Sequence, residues 1–325
     1  MLEIKHYNKS LKDEWDDFVS SAKNSSFLFL RDYMDYHSDR FQDYSLMFYE
    51  ESKLLALIPA NISDDIVYSH QGLTYGGLIV NHEIKTIKYK SIFEELIKYL
   101  KQSTIKKLIY KSLPHIYHSI AAEEDIYLLF THNAELIKRN ISSSIKLNNK
   151  VKFSSRRIRG IKKAEKNNLN IVKNHSLNDF YSILEKILKE KHSVRPVHSI
   201  SELENLKEKF PENIHLYSCY QEQECLAGVI IYETKEVAHA QYIAASELGK
   251  ELGALDLLFN QLINYDFNHK SYFDFGISSV ADGKTLNEGL INQKEEFGAR
   301  AIVYDAYEIP INSFPKEEPQ IFLGT

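Results

Sequence analysis

Four cations, Arg159, Lys162, Lys163 and Lys166, stand at i, i+3, i+4 and i+7 within "SSRRIRGIKKAEKNN", the stretch from Ser154 to Asn168. On a helix this spacing gathers them along one face while Ile158, Ile161 and Ala164 turn elsewhere. Arginine offers planar paired donors to phosphate oxygens and lysine a mobile point charge, so such a face suits a polyphosphate and reads no base. The competing reading is a solvated basic helix. For proton chemistry, alternation puts His239 and Gln241 on one face of "VAHAQYIAA" and Tyr242 on the other. His239 is then either a proton acceptor in the physiological range or a core histidine with its hydrogen bonds satisfied. Asp274 sits between Phe273 and Phe275, so if the rings pack inward its carboxyl points into a cleft, as a base, as an anchor for an amine, or as a structural carboxylate.

Two further segments supply polar groups. "EKHSVRPVHSISEL" holds His192, Arg195 and His198 between two helices, with Ser199 placed as an N-cap. His192 and Arg195 are candidate acceptor contacts, Arg195 meeting a carboxylate or phosphate or else lying free on the surface. Nearer the N-terminus, "YSHQGLTYGGLIV" brings His70 and Tyr75 beside Gly72, Gly76 and Gly77, where backbone can approach a ligand closely. Arg31 and His37 in "FLRDYMDYH" join them as acceptor-binding candidates, and packing between domains is the alternative.

The elements that must position these residues come in a repeated order. In the second half, "NIVKN" reads as a strand, "LNDFYSILEKILKEKH" and "SISELENLKEKF" as helices, and "NIHLYSCY", "CLAGVIIYE" and "VAHAQYIAA" as three strands. A helix "GALDLLFNQLINYDFN", a strand "SYFDFGIS", a helix "LNEGLINQKEEFG" and a strand "RAIVYDAYEI" complete it. The first half runs in the same order, from "EIKHYN" to a final strand "DIYLLFTH". Two copies of one mixed α/β (α+β) domain are expected, residues 1–150 and 151–310, with a tail at 311–325 and the junction in the polar "SSSIKLNNKVKFSS".

Composition narrows the function classes. At 325 residues, 43% hydrophobic and 26% charged, the chain has material for two ordinary cores. A net charge of −5 weighs against a broad duplex-binding face, so an anionic partner is met locally. The first residues lack an apolar leader core and no run of 18 apolar residues occurs, which points to the cytoplasm with no membrane span. Cys219 and Cys225, expected to face each other across a hairpin, read as reduced thiols. No HExxH or CxxC spacing suggests a metal.

The element order is that of the GNAT acyltransferase domain, and its tandem use resembles the FemAB-like transferases. Three stretches carry the resemblance: "RGIKKAEKNN" from Arg159, "YFDFGIS" from Tyr272, and "LNEGLINQKEEFGA" from Leu286, where Lys294, Phe297 and Gly298 match and Gln293 stands where an aromatic is usual. The resemblance implies acyl or aminoacyl transfer to a sugar nucleotide or a related cell-envelope or polysaccharide precursor. Arg159, with Lys162, would hold the phosphates of that nucleotide-linked acceptor, and Lys294 would offset the oxyanion of the tetrahedral intermediate. The donor, acyl-CoA or aminoacyl-tRNA, would lie along the fourth strand and its following turn, at Tyr242, Gly249, Lys250 and Gly253. That turn, "SELGKELGALD", differs from the family pattern in its glycine spacing and its missing leading basic residue. His239 and Asp274 are the candidate bases. A non-catalytic binding module is the second reading, and a nucleic-acid binder resting on the basic stretch alone is the third.

Overall fold

The computed structural model describes residues 2–192 and 195–311. The side chain of His192 and the tail from residue 312 onward lie outside the described residues. Two compact units emerge, Met1–Arg139 with Tyr304–Thr325, and Asn140–Val303. The crossing thus falls some ten residues before the expected junction, and the last strand, assigned above to the second domain, passes into the first unit from Tyr304 onward.

The first unit opens with β1 (Leu2–His6), α1 (Lys12–Ser21) and α2 (Arg31–Met34). There follow β2 (Gln42–Asp43), β3 (Leu46–Glu50), β4 (Lys53–Ile58), β5 (Asn61–Ser63), β6 (Ile66–Tyr68) and β7 (Ile79–Val80). Then come α3 (Thr86–Gln102), β8 (Lys107–Lys111), α4 (Glu124–Thr131) and the start of β9 (Glu135–Lys146). β1, β3, β4 and β7 form one antiparallel sheet. β8 pairs in parallel with β6 and antiparallel with the last strand, Arg300–Pro310. α3 buries Tyr89, Ile92, Phe93, Leu96, Ile97 and Leu100, a three-and-four spacing that gives one continuous apolar stripe. "DIYLLFTH", expected as a strand, is α4, and it buries Leu128 and Leu129 in the same core. A short apolar run fits either element, and the strand of this position is β9, three residues later.

α4 also carries a buried acid. Asp125 is enclosed, accepting from the Ile126 N–H at 2.8 Å and the Tyr110 hydroxyl at 3.2 Å. Burial lifts its carboxyl from 3.8 to about 7. The folded value exceeds the unfolded one, so Asp125 favours the fold most below pH 4 and that contribution is lost as pH rises toward 7. Such a rise corresponds to roughly 4 kcal/mol at most. Asp125→Asn copies the protonated carboxyl. It is expected to change stability little near pH 4.5 and to add about 1–4 kcal/mol at pH 8, read by urea titration at both pH values.

The second unit takes the rest of β9 and then α5 (Ser155–Lys166), β10 (Asn170–Lys173), α6 (Leu177–His192) and α7 (Ile200–Lys209). β11 (Ile214–Gln221), β12 (Glu224–Glu233) and β13 (Val237–Ala245) form a meander, followed by α8 (Glu247–Leu252), α9 (Ala254–Gln261) and a π-helical turn at Leu262–Asp266. β14 (Tyr272–Ile277), the short hairpin of β15 (Ser279–Val280) and β16 (Thr285–Leu286), α10 (Glu288–Glu295) and β17 (Arg300–Pro310) close the chain. Sheet order in this unit is β10-β11-β12-β13-β14-β9. Cross-strand register assigns the two faces: Val229, Ile231, Ala238, Ala240, Phe273 and Phe275 join one core with Leu258 and Phe259 of α9. α6 covers the other face, where a Cβ on Gly228 would lie 2.3 Å from the Phe180 ring. Cys225 stands opposite Tyr220 and Cys219 opposite Ala227, not opposite each other, and both thiols are free.

Candidate functional site

β13 and β14 run parallel for three residue pairs only, Val237↔Tyr272, Ala238↔Phe273 and His239↔Asp274. Beyond that point β13 continues to Ala245 and β14 to Ile277, and the two strands fork. His239 and Asp274, named separately as base candidates, meet at the fork: the His239 Nδ1 lies 2.8 Å from Asp274 Oδ2. Asp274 is fully buried, and Ser142 Oγ of β9 donates to its other oxygen at 2.7 Å. With an ionised carboxylate as partner, Nδ1 carries the proton and Nε2 is left as the basic nitrogen. Phe273 and Phe275 pack inward on the opposite face, as the alternation requires.

Tyr242 is not where alternation puts it. The β12–β13 register slips between Ile230 and Ile231, pairing Ile230 with Tyr242 and Ile231 with Ala240, so Gln241 is the extra residue of a bulge. The bulge turns Tyr242 onto the same face as His239. There its hydroxyl lies 2.7 Å from His198 Nδ1, in the loop before α7. Ser199 caps α7 with a reciprocal Glu202 contact, as expected. Arg195 of that loop is exposed.

Gly276 shapes the end of β14. Its φ of +75° suits a residue without a Cβ, and an added Cβ would stand 3.4 Å from His239 Cε1. The β14–β9 register is irregular between Asp274 and Ile277. Lys294, on α10, is buried rather than exposed among its charged neighbours. Its Nζ donates to Gly276 O at 2.7 Å, Ile277 O at 3.0 Å and Ser278 Oγ at 2.9 Å. Burial lowers it to about 8, against a smaller opposing effect of Asp274. All three ammonium protons thus go to the chain's own oxygens, so the donor expected for an oxyanion instead holds the strand end beside the dyad.

The turn expected to hold a donor pyrophosphate is helical. Gly249 sits in α8, its N–H given to the Ser246 hydroxyl at 3.0 Å, and a Cβ there would meet Leu226 O at 2.2 Å. Gly253 is left-handed, with φ +81°, and a Cβ would meet Gly160 O at 2.4 Å. Both glycines serve close packing of backbone on backbone. Lys250 pairs with Glu247. At the start of α9, Asp256 accepts from Arg157 Nη1 at 2.8 Å, so a carboxylate occupies the positive end of the helix. These residues do not fit a pyrophosphate at that turn.

α5 is the expected helix, and Arg159, Lys162, Lys163 and Lys166 are exposed on it. Of the three residues expected to turn away from the cations, Ala164 is buried and Ile161 half-buried, while Ile158 is 43% exposed and Arg157 is buried in its place. Arg157 was missed because a cation is not read as an inward residue. Ser142 was missed too, since "SSS" reads as a linker.

The first-unit candidates fall in its core. Arg31 is 2% exposed, bonded to Asp35 at 2.5 Å and Asp43 at 2.7 Å, with its guanidinium 3.7 Å over Tyr7. His37 stacks on Tyr36 and His70, and burial lowers both imidazoles, His70 to about 3. Tyr75 is buried with its hydroxyl 3.2 Å from Ser26 Oγ. These four therefore present a packed interior and not a ligand surface. Among the described residues no three His, Cys, Asp or Glu side chains gather to hold a metal ion, and no helix is long and apolar enough to cross a membrane.

No family model matches the chain, and no curated protein matches its sequence. Among solved structures it is similar to FemX, at 12% identity over 93% of this chain and 96% of that one, with a TM-score of 0.65. It is also similar to L-PGS from Bacillus licheniformis, at 12% identity over 94% and 92%, with a TM-score of 0.59. A tandem GNAT protein from the clavulanic acid biosynthesis pathway aligns at 8% identity over 98% and 100%, with a TM-score of 0.51. At these identities the likeness shows the fold, a mixed α+β tandem GNAT fold.

Proposed function

We propose that the chain is an acyltransferase that moves an activated acyl or aminoacyl group onto the amine of a sugar nucleotide or related cell-envelope precursor. The observation that carries this reading is the His239–Asp274 pair at the fork of β13 and β14. Nε2 of His239 takes the proton as the amine attacks the donor carbonyl, and Asp274, held by Ser142, keeps the ring oriented and stabilises the imidazolium. Acyl passes directly from donor to acceptor, without a covalent enzyme intermediate. The carboxylate seated at the start of α9 speaks against a donor pyrophosphate bound at that turn. The same feature is the one that favours the second reading, a binding module that has lost its donor site.

The exposed face of α5 supports a phosphate-bearing acceptor. Replacing Arg159 and Lys162 together with alanine is expected to raise the acceptor KM about tenfold or more at low salt, with the difference shrinking as ionic strength rises. Steady-state kinetics at two salt concentrations check it; an unchanged KM would remove these residues from the acceptor site.

The reading itself is tested by mass spectrometry of the purified chain with acyl-CoA and aminoacyl-tRNA pools and sugar-nucleotide acceptors. A product mass that appears with the native chain and fails to appear with His239→Ala supports transfer. Ligand binding with no transfer from any donor would establish the module instead.

A further inference from the structure

β13 and β14 stop pairing at His239↔Asp274, and each strand then carries an extra residue two positions on. On β13 it is Gln241. On β14, Asp274 stands opposite Ser144 of β9 and Ile277 opposite Ser142, so three steps on one strand match two on the other. Gly276, with φ +75°, is the left-handed residue of this second bulge. The extra residue returns Ile277 to the face of Asp274, as Gln241 returns Tyr242 to that of His239. Two bulges therefore flank the dyad, one on each side of the fork.

A strand that leaves its neighbour keeps carbonyl and N–H groups that need partners, and the neighbour itself offers the nearest ones. Distance does not forbid re-pairing here. A Cβ on Gly276 would stand 3.8 Å from the Ala240 carbonyl oxygen, so β14 still passes close to β13 at its bulge. In a regular strand, consecutive carbonyls point to opposite neighbours, so of Gly276 and Ile277 one would meet β13 and the other β9. Both turn instead to one ammonium, Lys294 Nζ, at 2.7 and 3.0 Å. Its third proton goes to Ser278 Oγ at 2.9 Å, and Asn287, the cap of α10, gives its own N–H to Ser278 O at 2.9 Å. α10 thus grips the end of β14 through two residues. The lysine is 4% exposed, and a charged donor binds a carbonyl more strongly than the neutral N–H of a strand does.

We propose that Lys294 is a positioning residue that keeps the fork open: by drawing both carbonyls to itself it stops β14 from resuming its pairing with β13, and so keeps the His239 imidazole accessible. Lys294→Met removes all three donors, and Lys294→Gln keeps two without the charge. The probe is diethyl pyrocarbonate, which acylates accessible neutral imidazoles; peptide mass spectrometry of the full chain follows His239 against the exposed His82. In Lys294→Met the ratio of His239 to His82 labelling is expected to fall about tenfold or more, with slower hydrogen exchange from Gln241 to Ile243 as the strands re-pair. Lys294→Gln should lie between, roughly two- to fourfold below the native ratio, and it decides alone should Lys294→Met fail to fold. No turnover enters the measurement, so its failure leaves the transfer reading standing, and absence of transfer leaves this role standing. An unchanged or raised ratio, faster exchange from Gln241 to Ile243, or an equal loss in both variants would each overturn the proposal.

Discussion

His239→Ala is expected to lower kcat for acyl transfer by about 10²–10⁴-fold, the span a positioned general base supplies. Asp274→Asn should fall in the same range for a different reason. The carboxylate accepts from His239 on one oxygen and from Ser142 on the other, so an amide must turn its NH₂ toward one of them. If that group faces the imidazole, the ring must adopt the other tautomer and Nε2 no longer accepts a proton. The two losses should therefore be far from additive, the double variant being little worse than either single one. Thermal unfolding distinguishes catalysis from folding: the midpoint of His239→Ala should move little while kcat falls. A variant within threefold of the native rate would remove the base from the mechanism.

That pair was half legible in the sequence. Each residue drew attention by type and alternation, yet neither reading linked them, because a parallel register between strands separated by α8 and α9 is a tertiary fact. Alternation placed Tyr242 on the wrong face because a bulge adds one residue without any local mark, Gln241 being neither Gly nor Pro. The meander of β11, β12 and β13 and the helix α6 were plain, their apolar residues following one period over many positions. The failures sit where polar residues are buried or apolar ones ambiguous. Ser142, Ser143 and Ser144 are all buried in β9, where the Ser142 and Ser144 hydroxyls bond to β14 although the composition suggests a linker. "SELGKELG" reads as a glycine turn and is instead α8, its Gly249 required by the Leu226 carbonyl that touches it. Lys294 looks solvated by its neighbours and is enclosed by carbonyls.

The basic stretch that begins at Ser154 divides in the same way, and the division can be measured. Arg157 lies inward with Nη1 2.8 Å from Asp256 and Nη2 2.5 Å from Glu296, its guanidinium 4.8 Å from the Phe297 ring centre. Gly160, one turn on, has no Cβ because Asp256 would occupy its place at 1.9 Å. Arg157→Ala leaves two carboxylates facing each other in a mostly enclosed space, which typically costs about 3–5 kcal/mol. Arg159→Ala and Lys162→Ala, exposed on the outer face, should stay within about 0.5 kcal/mol of the native chain. In a cycle with Asp256→Asn, the loss on removing Arg157 should shrink, since one of the stranded charges is gone. Urea unfolding of the four single variants and of the Arg157→Ala/Asp256→Asn double variant reads these values directly. Equal stability of Arg157→Ala and Arg159→Ala would mean that the whole stretch is solvent-facing and that α5 does not dock on α9 through this ion pair.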